Sequence, residues 1–140
     1  MKKNDPVRSI MTDQLVTAKL TDSFSGLKQK MEENKIHHIP VVEGQTLVGM
    51  ISRLDILKFS HSREYINDGT IDGDLDKFVT VEKLMTKNPV SIKVTDTVRH
   101  AVEILTQNSF NSLPVVEGES GHLAGIITTK DIMAYLVNQY

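Results

Sequence analysis

The feature that most constrains this chain is an internal duplication. Residues 7–44 align with residues 81–118 at a constant offset of 74, and 13 of the 38 pairs are identical. Random pairing of ordinary composition would give about two identities. After Gly44 the second copy gains two residues in a turn, and the offset becomes 76 (125 − 49). Because turns tolerate insertions, the two halves are expected to be copies of one folding unit.

Hydrophobic patterning predicts the element order β-α-β-β-α in each copy. Short strands are expected at 15–18 and 90–92, and the first pair of helices is amphipathic, with apolar residues at helical spacing. Apolar segments at 39–42 and 113–116 predict the next strands. A turn, another apolar strand and a closing helix complete each copy, so the fold class is predicted to be α+β.

The ends of the first helix in each copy carry recognisable cap residues. Thr21-Asp22 and Thr95-Asp96 precede the helices and are expected to supply their N-caps. Asn34 and Asn108 stand at the other ends, where Asn tolerates the left-handed conformation of a C-cap.

Composition restricts the function. The chain has 140 residues, of which 39% are hydrophobic and 24% charged, which is typical of a globular chain with a sizeable core. A net charge of −2 provides no basic field for nucleic acid or an anionic membrane. The chain has no cysteine, which excludes disulfides and thiolate metal sites. Since neither a signal peptide nor a spanning apolar segment is present, a cytoplasmic protein is expected.

The segment between the copies is polar and acidic. We predict a first repeat over 1–60, a linker over 61–79 and a second repeat over 80–140. Tyr65 and Ile66 are expected to anchor the linker on the repeats.

The linker also contains acidic residues at alternating positions, Asp72, Asp74 and Asp76. This spacing resembles a calcium-binding loop. However, Lys77 stands where such a loop needs Gly, and Lys83 stands where it needs a bidentate Glu. Calcium binding is therefore disfavoured.

Three motifs occur in both copies. Each copy begins with Ile/Leu-Met-Thr, passes through apolar-Pro-Val-Val, and closes with a strand that ends Gly-apolar-Ile-Ser/Thr-x-x-Asp. As a set they resemble a tandem pair of CBS (cystathionine-β-synthase) domains, a Bateman module. The resemblance implies two repeats packed about a pseudo-twofold axis, and adenosyl ligands bound in the two clefts between them. The expected effectors are AMP, ADP, ATP, S-adenosylmethionine or NAD species, with no required cofactor.

The third motif lies where a strand passes into a helix, at 49–55 and 125–131. The first N–H groups of a helix lack partners and its dipole is positive there, which suits an α-phosphate. A carboxylate can accept both hydroxyls of a ribose. We therefore expect Asp55 and Asp131 to bind the ribose. The supporting residues are expected to be Ser52 and Thr128 for ribose or phosphate, and Arg53 and Lys130 for positive charge.

The resemblance assigns further residues. The residue two positions before the motif proline often faces phosphate in this family; it is His38 in one copy and Ser112 in the other. This difference favours the His38 site for charged phosphates. The adenine is expected beside short strands and motif prolines, at Thr17, Ala18, Pro40, Ser91, Ile92 and Pro114.

A dimerisation module, a metal site and an enzyme are the alternatives to adenosyl binding. Ser/Thr-x-x-Asp is also an ordinary helix capping box, so a ligand-free dimerisation or docking module is the main alternative. His37 and His38 are adjacent and point to opposite sides in an extended segment, which disfavours a shared metal. No nucleophile-base set lies outside the repeats, so an enzyme is not expected. We expect a stand-alone homodimeric regulator that acts on a separate protein.

Overall fold

The computed structural model describes residues 5–60 and 78–140, and the protein is a mixed α+β chain. The chain divides into two compact units. The first-repeat unit comprises residues 16–89, and the second-repeat unit comprises residues 1–15 together with residues 90–140. The opening segment of each sequence repeat therefore belongs to the unit that contains most of the other repeat. The calcium motif and Tyr65-Ile66 lie outside the described residues.

The first-repeat unit is an antiparallel sheet covered by helices. Its elements are helix α1 (Phe24–Asn34), strands β1 (His38–Glu43) and β2 (Thr46–Ser52), helix α2 (Arg53–Ser60), helix α3 (Val81–Leu84) and strand β3 (Thr86–Lys87). β2 pairs with β1 and with β3, and Ala18 forms a parallel bridge to Val41. Val81 and Leu84 are buried in the same core as Phe24 and Leu27. The start of the second repeat thus completes this core.

The second-repeat unit has the same plan. Its elements are strand β4 (Ile92–Lys93), helix α4 (Val98–Gln107), strands β5 (Ser112–Glu117) and β6 (His122–Thr128), and helix α5 (Thr129–Val137). β5 pairs in parallel with β4 and antiparallel with β6. Val7 is fully buried here, in the core that contains Leu113 and Ile127. Burying one such side chain stabilises a fold by about 1.5–3 kcal/mol.

The helix caps differ from the sequence prediction. The N-cap of α1 is Ser23, whose hydroxyl accepts the Gly26 N–H at 3.0 Å, and the N-cap of α4 is Thr97. Asp22 and Asp96 instead accept the N–H groups of lysines three residues earlier. The prediction was therefore one or two residues too early, because an Asp preceding a cap residue can close its own turn.

The two helices end where predicted, since α1 ends at Asn34 and Asn108 is the C-cap of α4, but neither Asn adopts the left-handed conformation. Lys35 adopts the left-handed conformation after α1, with φ of 53°, whereas Asn108 is extended. The side chains of Asn34 and Asn108 donate instead to carbonyl oxygens one helical turn back, at 2.8 Å each. An Asn amide can satisfy a terminal carbonyl in this way without changing the backbone conformation of its own residue.

The first strands are shorter than predicted. Residues 15–18 contribute only the bridge at Ala18, and the strand expected at 90–92 is observed as Ile92–Lys93. Among the described residues, no helix combines the length and the hydropathy needed to cross a bilayer.

Candidate functional site

The joint between β2 and α2 forms a reciprocal cap. The Ser52 hydroxyl accepts the Asp55 N–H at 3.3 Å, while Asp55 Oδ2 accepts the Ser52 N–H at 2.8 Å and the Ser52 hydroxyl at 3.0 Å. Among the described residues, no donor lies on Asp55 Oδ1. The cap therefore uses one carboxylate oxygen and leaves the other available to a ligand.

The joint between β6 and α5 repeats this geometry. The Thr128 hydroxyl accepts the Asp131 N–H at 3.2 Å, and Asp131 Oδ2 accepts the Thr128 N–H at 2.9 Å and its hydroxyl at 3.1 Å. A further donor is present here, since the Thr12 hydroxyl lies 3.1 Å from Asp131 Oδ1. Both predicted carboxylates thus have a structural role as caps in addition to any role in binding.

Strand pairing places the predicted phosphate residues beside these joints. His38 is the cross-strand partner of Ser52, and Ser112 is the partner of Thr128. Residues directly opposite each other in an antiparallel pair have side chains on the same face. Each unit therefore brings together the motif hydroxyl and the residue two positions before the proline.

The imidazole of His38 is electrostatically perturbed. Burial lowers its pKa below the ordinary value of 6.5, the charge of neighbouring His37 lowers it further, and Asp55 opposes both effects. His38 is half-buried, whereas Ser112 is buried. His38 is therefore held mainly neutral near pH 7, and an incoming phosphate would raise its pKa again.

The predicted cations lie at the first turns of the closing helices. Arg53 is exposed, and its N–H donates to the His37 carbonyl at 2.8 Å. It also lines a shallow cavity of about 290 Å³. The other residues that line this cavity are Met31, Glu32, Lys35, Ile36 and His37. Lys130 is exposed in the corresponding turn of α5.

The predicted adenine residues of the first-repeat unit lie beside the strand that carries Pro40, where Ala18 forms its bridge to Val41. Ala18 donates to the Pro40 carbonyl at 2.9 Å and accepts from Val42 at 2.9 Å, so both of its backbone groups are engaged in the sheet. The Thr17 carbonyl accepts the Lys30 ammonium at 2.9 Å. No hydrogen bond from the Thr17 N–H is present within residues 5–60 and 78–140.

The second-repeat unit has the corresponding residues in a similar place. Ile92 is buried and pairs with Val115, while Ser91 is exposed directly before the strand. Pro114 is buried on β5, directly before Val115. Ala18 in the first-repeat unit and Ile92 in the second-repeat unit therefore each pair with the strand that carries the motif proline.

The Met-Thr motif has a role that sequence reasoning missed. Met11 and Thr12 pack directly against Gly125, and Met85 packs against Gly49 in the same manner. A Cβ at either glycine would therefore meet the methionine side chain, and at Gly125 it would also meet the Thr12 carbonyl oxygen. The repeat alignment contains a signal for this contact, because Met-Thr and Gly both occur in each repeat. The contact itself was not predicted, because the two motifs are far apart in the chain.

Lys30 is a second residue whose contacts were not predicted from the sequence. Its ammonium group bridges the Thr17 carbonyl and Asp22 Oδ2, at 2.9 and 3.0 Å. Burial alone would raise the pKa of Asp22, but hydrogen bonds from the Lys19 N–H and from Lys30 outweigh it and lower the pKa. The charged pair thus fixes the strand edge at Thr17.

Potential metal ligands are dispersed. Within residues 5–60 and 78–140, no group of three or more His, Asp or Glu side chains is placed to hold a metal ion.

Comparison with known proteins identifies the family. The CBS domain model matches residues 7–62 and 81–138. The crystal structure of protein MJ1225 from Methanocaldococcus jannaschii superposes with a TM-score of 0.84 at 27% identity, over 97% of this chain and 49% of that one. CBSX2 from Arabidopsis thaliana, solved in complex with AMP, gives a TM-score of 0.78 at 27% identity, over 97% of this chain and 99% of that one.

Among curated sequences, the chain is 29% identical over 124 residues to inosine-5'-monophosphate dehydrogenase from Korarchaeum cryptofilum. That match covers 89% of this chain and 23% of the dehydrogenase. The match to MJ1225 covers 48% of that sequence, so the chain spans only a quarter to a half of these relatives. The family model covers most of the chain, and the protein belongs to the CBS-domain family, with one repeat at residues 7–62 and a second at residues 81–138.

Proposed function

We propose that this CBS pair is a regulatory module that binds an adenosyl ligand at its strand-to-helix joints. The observation that carries the proposal is the placement of a carboxylate, a hydroxyl and a cationic first turn together at each joint. At Asp55 the cap engages Oδ2 and no described donor lies on Oδ1. An ionised carboxylate oxygen of this kind is suited to accept a pair of ribose hydroxyls.

The phosphate end supports a charged adenosyl ligand at the first joint. Arg53 stands at the start of α2, where helix N–H groups and the dipole favour an anion. His38 lies beside Ser52 on the paired strand and would gain a proton as a phosphate approaches. The AMP complex of CBSX2, which matches this chain almost end to end, supports the same class of ligand.

A thermal-shift panel tests the proposal. AMP, ADP, ATP, S-adenosylmethionine and NADH are compared, with guanosine monophosphate as a base control and adenine alone as a control without ribose. A ligand at 100 times its Kd adds about 2.7 kcal/mol to stability. We expect a rise in Tm with at least one adenosyl compound and none with free adenine. No shift with any of the five would contradict the proposal.

Two observations favour a second function, a ligand-free dimerisation module. Asp55 and Asp131 complete their helix caps without a ligand, so the motif would be retained in an empty site. In addition, α5 exposes Met133, Leu136 and Val137, which share one helix face, and no charged residue occurs from residue 132 to the end.

Dimerisation does not exclude ligand binding. We also propose that this apolar face of α5 joins a second copy of the chain. Met133 is 65% exposed and Val137 is 73% exposed, which is unusual for side chains of this size. Light scattering should give a mass near twice 15.7 kDa at micromolar concentration, and Met133→Glu should lower it. A wild-type mass of one chain would refute the homodimer.

A further inference from the structure

The two carboxylates are not equally occupied by their own chain. Asp131 Oδ2 accepts the N–H and the hydroxyl of Thr128, and Asp131 Oδ1 accepts the Thr12 hydroxyl at 3.1 Å. Thr12 is held in place by two backbone hydrogen bonds with Ile126, of 2.8 and 2.9 Å. Its hydroxyl is thus presented to Asp131 by a fixed backbone, although the two residues are 119 positions apart.

The equivalent contact is missing at Asp55. Thr86 corresponds to Thr12 in the repeat, and it pairs with Met50 on β2 as Thr12 pairs with Ile126 on β6. In the part of the chain that the structure describes, however, no hydrogen bond joins Thr86 to Asp55. Within residues 5–60 and 78–140, Ser52 is the one residue that donates to this carboxylate, and it donates to Oδ2.

Asp55 and Asp131 differ in the number of acceptor positions that remain for a ligand. An ionised carboxylate has about four lone-pair positions, two on each oxygen. With Oδ2 filled by the cap, Asp55 keeps both positions on Oδ1, whereas Thr12 leaves Asp131 only one. A ribose presents two adjacent hydroxyls and therefore needs two positions. Asp55 can accept both, and Asp131 can accept both only when Thr12 turns away.

We propose that Thr12 makes the two sites unequal by competing with ribose for Asp131, so that the Asp55 site fills first. This inference rests on the proposed binding of ribose by these carboxylates. It makes Thr12 a positioning residue that sets the affinity of the second site.

The experiment uses Thr12→Val, which removes the hydroxyl but keeps the branched shape and the backbone bridge. Calorimetric titration with AMP is done in an Asp55→Asn background, in which the remaining binding reports on Asp131. Thr12→Val should raise this affinity about three- to tenfold, the value of one hydrogen bond. Thr12→Ser, which keeps the hydroxyl, should leave it unchanged, and Thr86→Val serves as the matched control with no effect.

The outcomes separate the inference from the function on which it rests. If wild-type protein binds AMP but Thr12→Val leaves the Asp131 affinity unchanged or lowers it, Thr12 does not compete and the inference is overturned alone. If neither AMP nor any other adenosyl compound of the thermal-shift panel binds the wild type at millimolar concentration, the proposed function and the inference fall together. Circular dichroism of each folded variant excludes loss of structure as the cause.

Discussion

The glycines of the two closing strands offer a test of the packing that positions the joints. An ideal Cβ at Gly125 would lie 2.7 Å from the Met11 sulfur and 2.9 Å from the Thr12 carbonyl oxygen. At Gly49 the three nearest atoms all belong to the Met85 side chain. A flexible side chain can move aside, whereas a carbonyl oxygen held in a backbone bridge cannot do so without disturbing the sheet.

The magnitudes follow from this difference. Replacing Gly by Ala in an unstrained conformation stabilises a protein by about 0.4–1 kcal/mol, while overpacking costs about 1–3 kcal/mol. Gly125→Ala should therefore destabilise the protein by about 1–2 kcal/mol. Gly49→Ala should cost less than about 1 kcal/mol, because Met85 gives way.

Urea unfolding of single and double variants measures these values. Removing the Met85 side chain with Met85→Ala should abolish the cost of Gly49→Ala, since only its Cβ at 3.1 Å remains. Met11→Ala should not abolish the cost of Gly125→Ala, because the Thr12 carbonyl remains. Full rescue by Met11→Ala, or no loss of stability in Gly125→Ala, would show that the Thr12 carbonyl oxygen does not obstruct a side chain at this position.

Two further predictions concern titratable groups. Because its pKa is lowered in the fold, His38 contributes stability that is complete above about pH 6.5 and is lost as pH falls towards the folded pKa. Urea unfolding between pH 7.5 and pH 5 should therefore show a free energy of unfolding that decreases with falling pH. His38→Gln should make this decrease smaller. If the phosphate of AMP causes His38 to be protonated, binding near pH 6.5 should take up protons. Calorimetry in buffers of different ionisation enthalpy measures this uptake. No uptake would show that His38 does not respond to the phosphate. The Tyr135 hydroxyl donates to Asp5 at 2.6 Å, and this bond raises the Tyr135 pKa. Stability should therefore be lost as pH rises above about 10, and Tyr135→Phe should lower the Tm at pH 7 while removing that loss.

Much of the architecture could be predicted because it is local. The repeat fixed the element order, and the three-residue spacing of Ser52 to Asp55 and of Thr128 to Asp131 correctly predicted a cap at each joint. The caps at Asp22 and Asp96 were misplaced, because a turn aspartate and a cap residue stand side by side and local sequence does not separate them.

The contacts that could not be predicted join distant segments. Periodicity reports which face of an element is buried but not which partner buries it, so the placement of residues 1–15 with the second repeat had no local signal. The same reason explains why the hydrogen bond from Thr12 to Asp131 was missed. The two units share a sequence pattern, yet this long-range contact is formed at Asp131 and not at Asp55 among the described residues.

The most direct test of the account is the affinity for AMP of Asp55→Asn. An Asn oxygen can keep the cap to the Ser52 N–H, but its amide group then takes the place of Oδ1 and cannot accept ribose hydroxyls. We expect calorimetry to show a loss of about ten- to a hundredfold in affinity at this site, with little change in stability. We also expect 2'-deoxy-AMP to bind more weakly than AMP to the wild type and about equally to the variant. Unchanged AMP affinity in Asp55→Asn, Asp131→Asn and the double variant would contradict the account and leave both residues as helix caps.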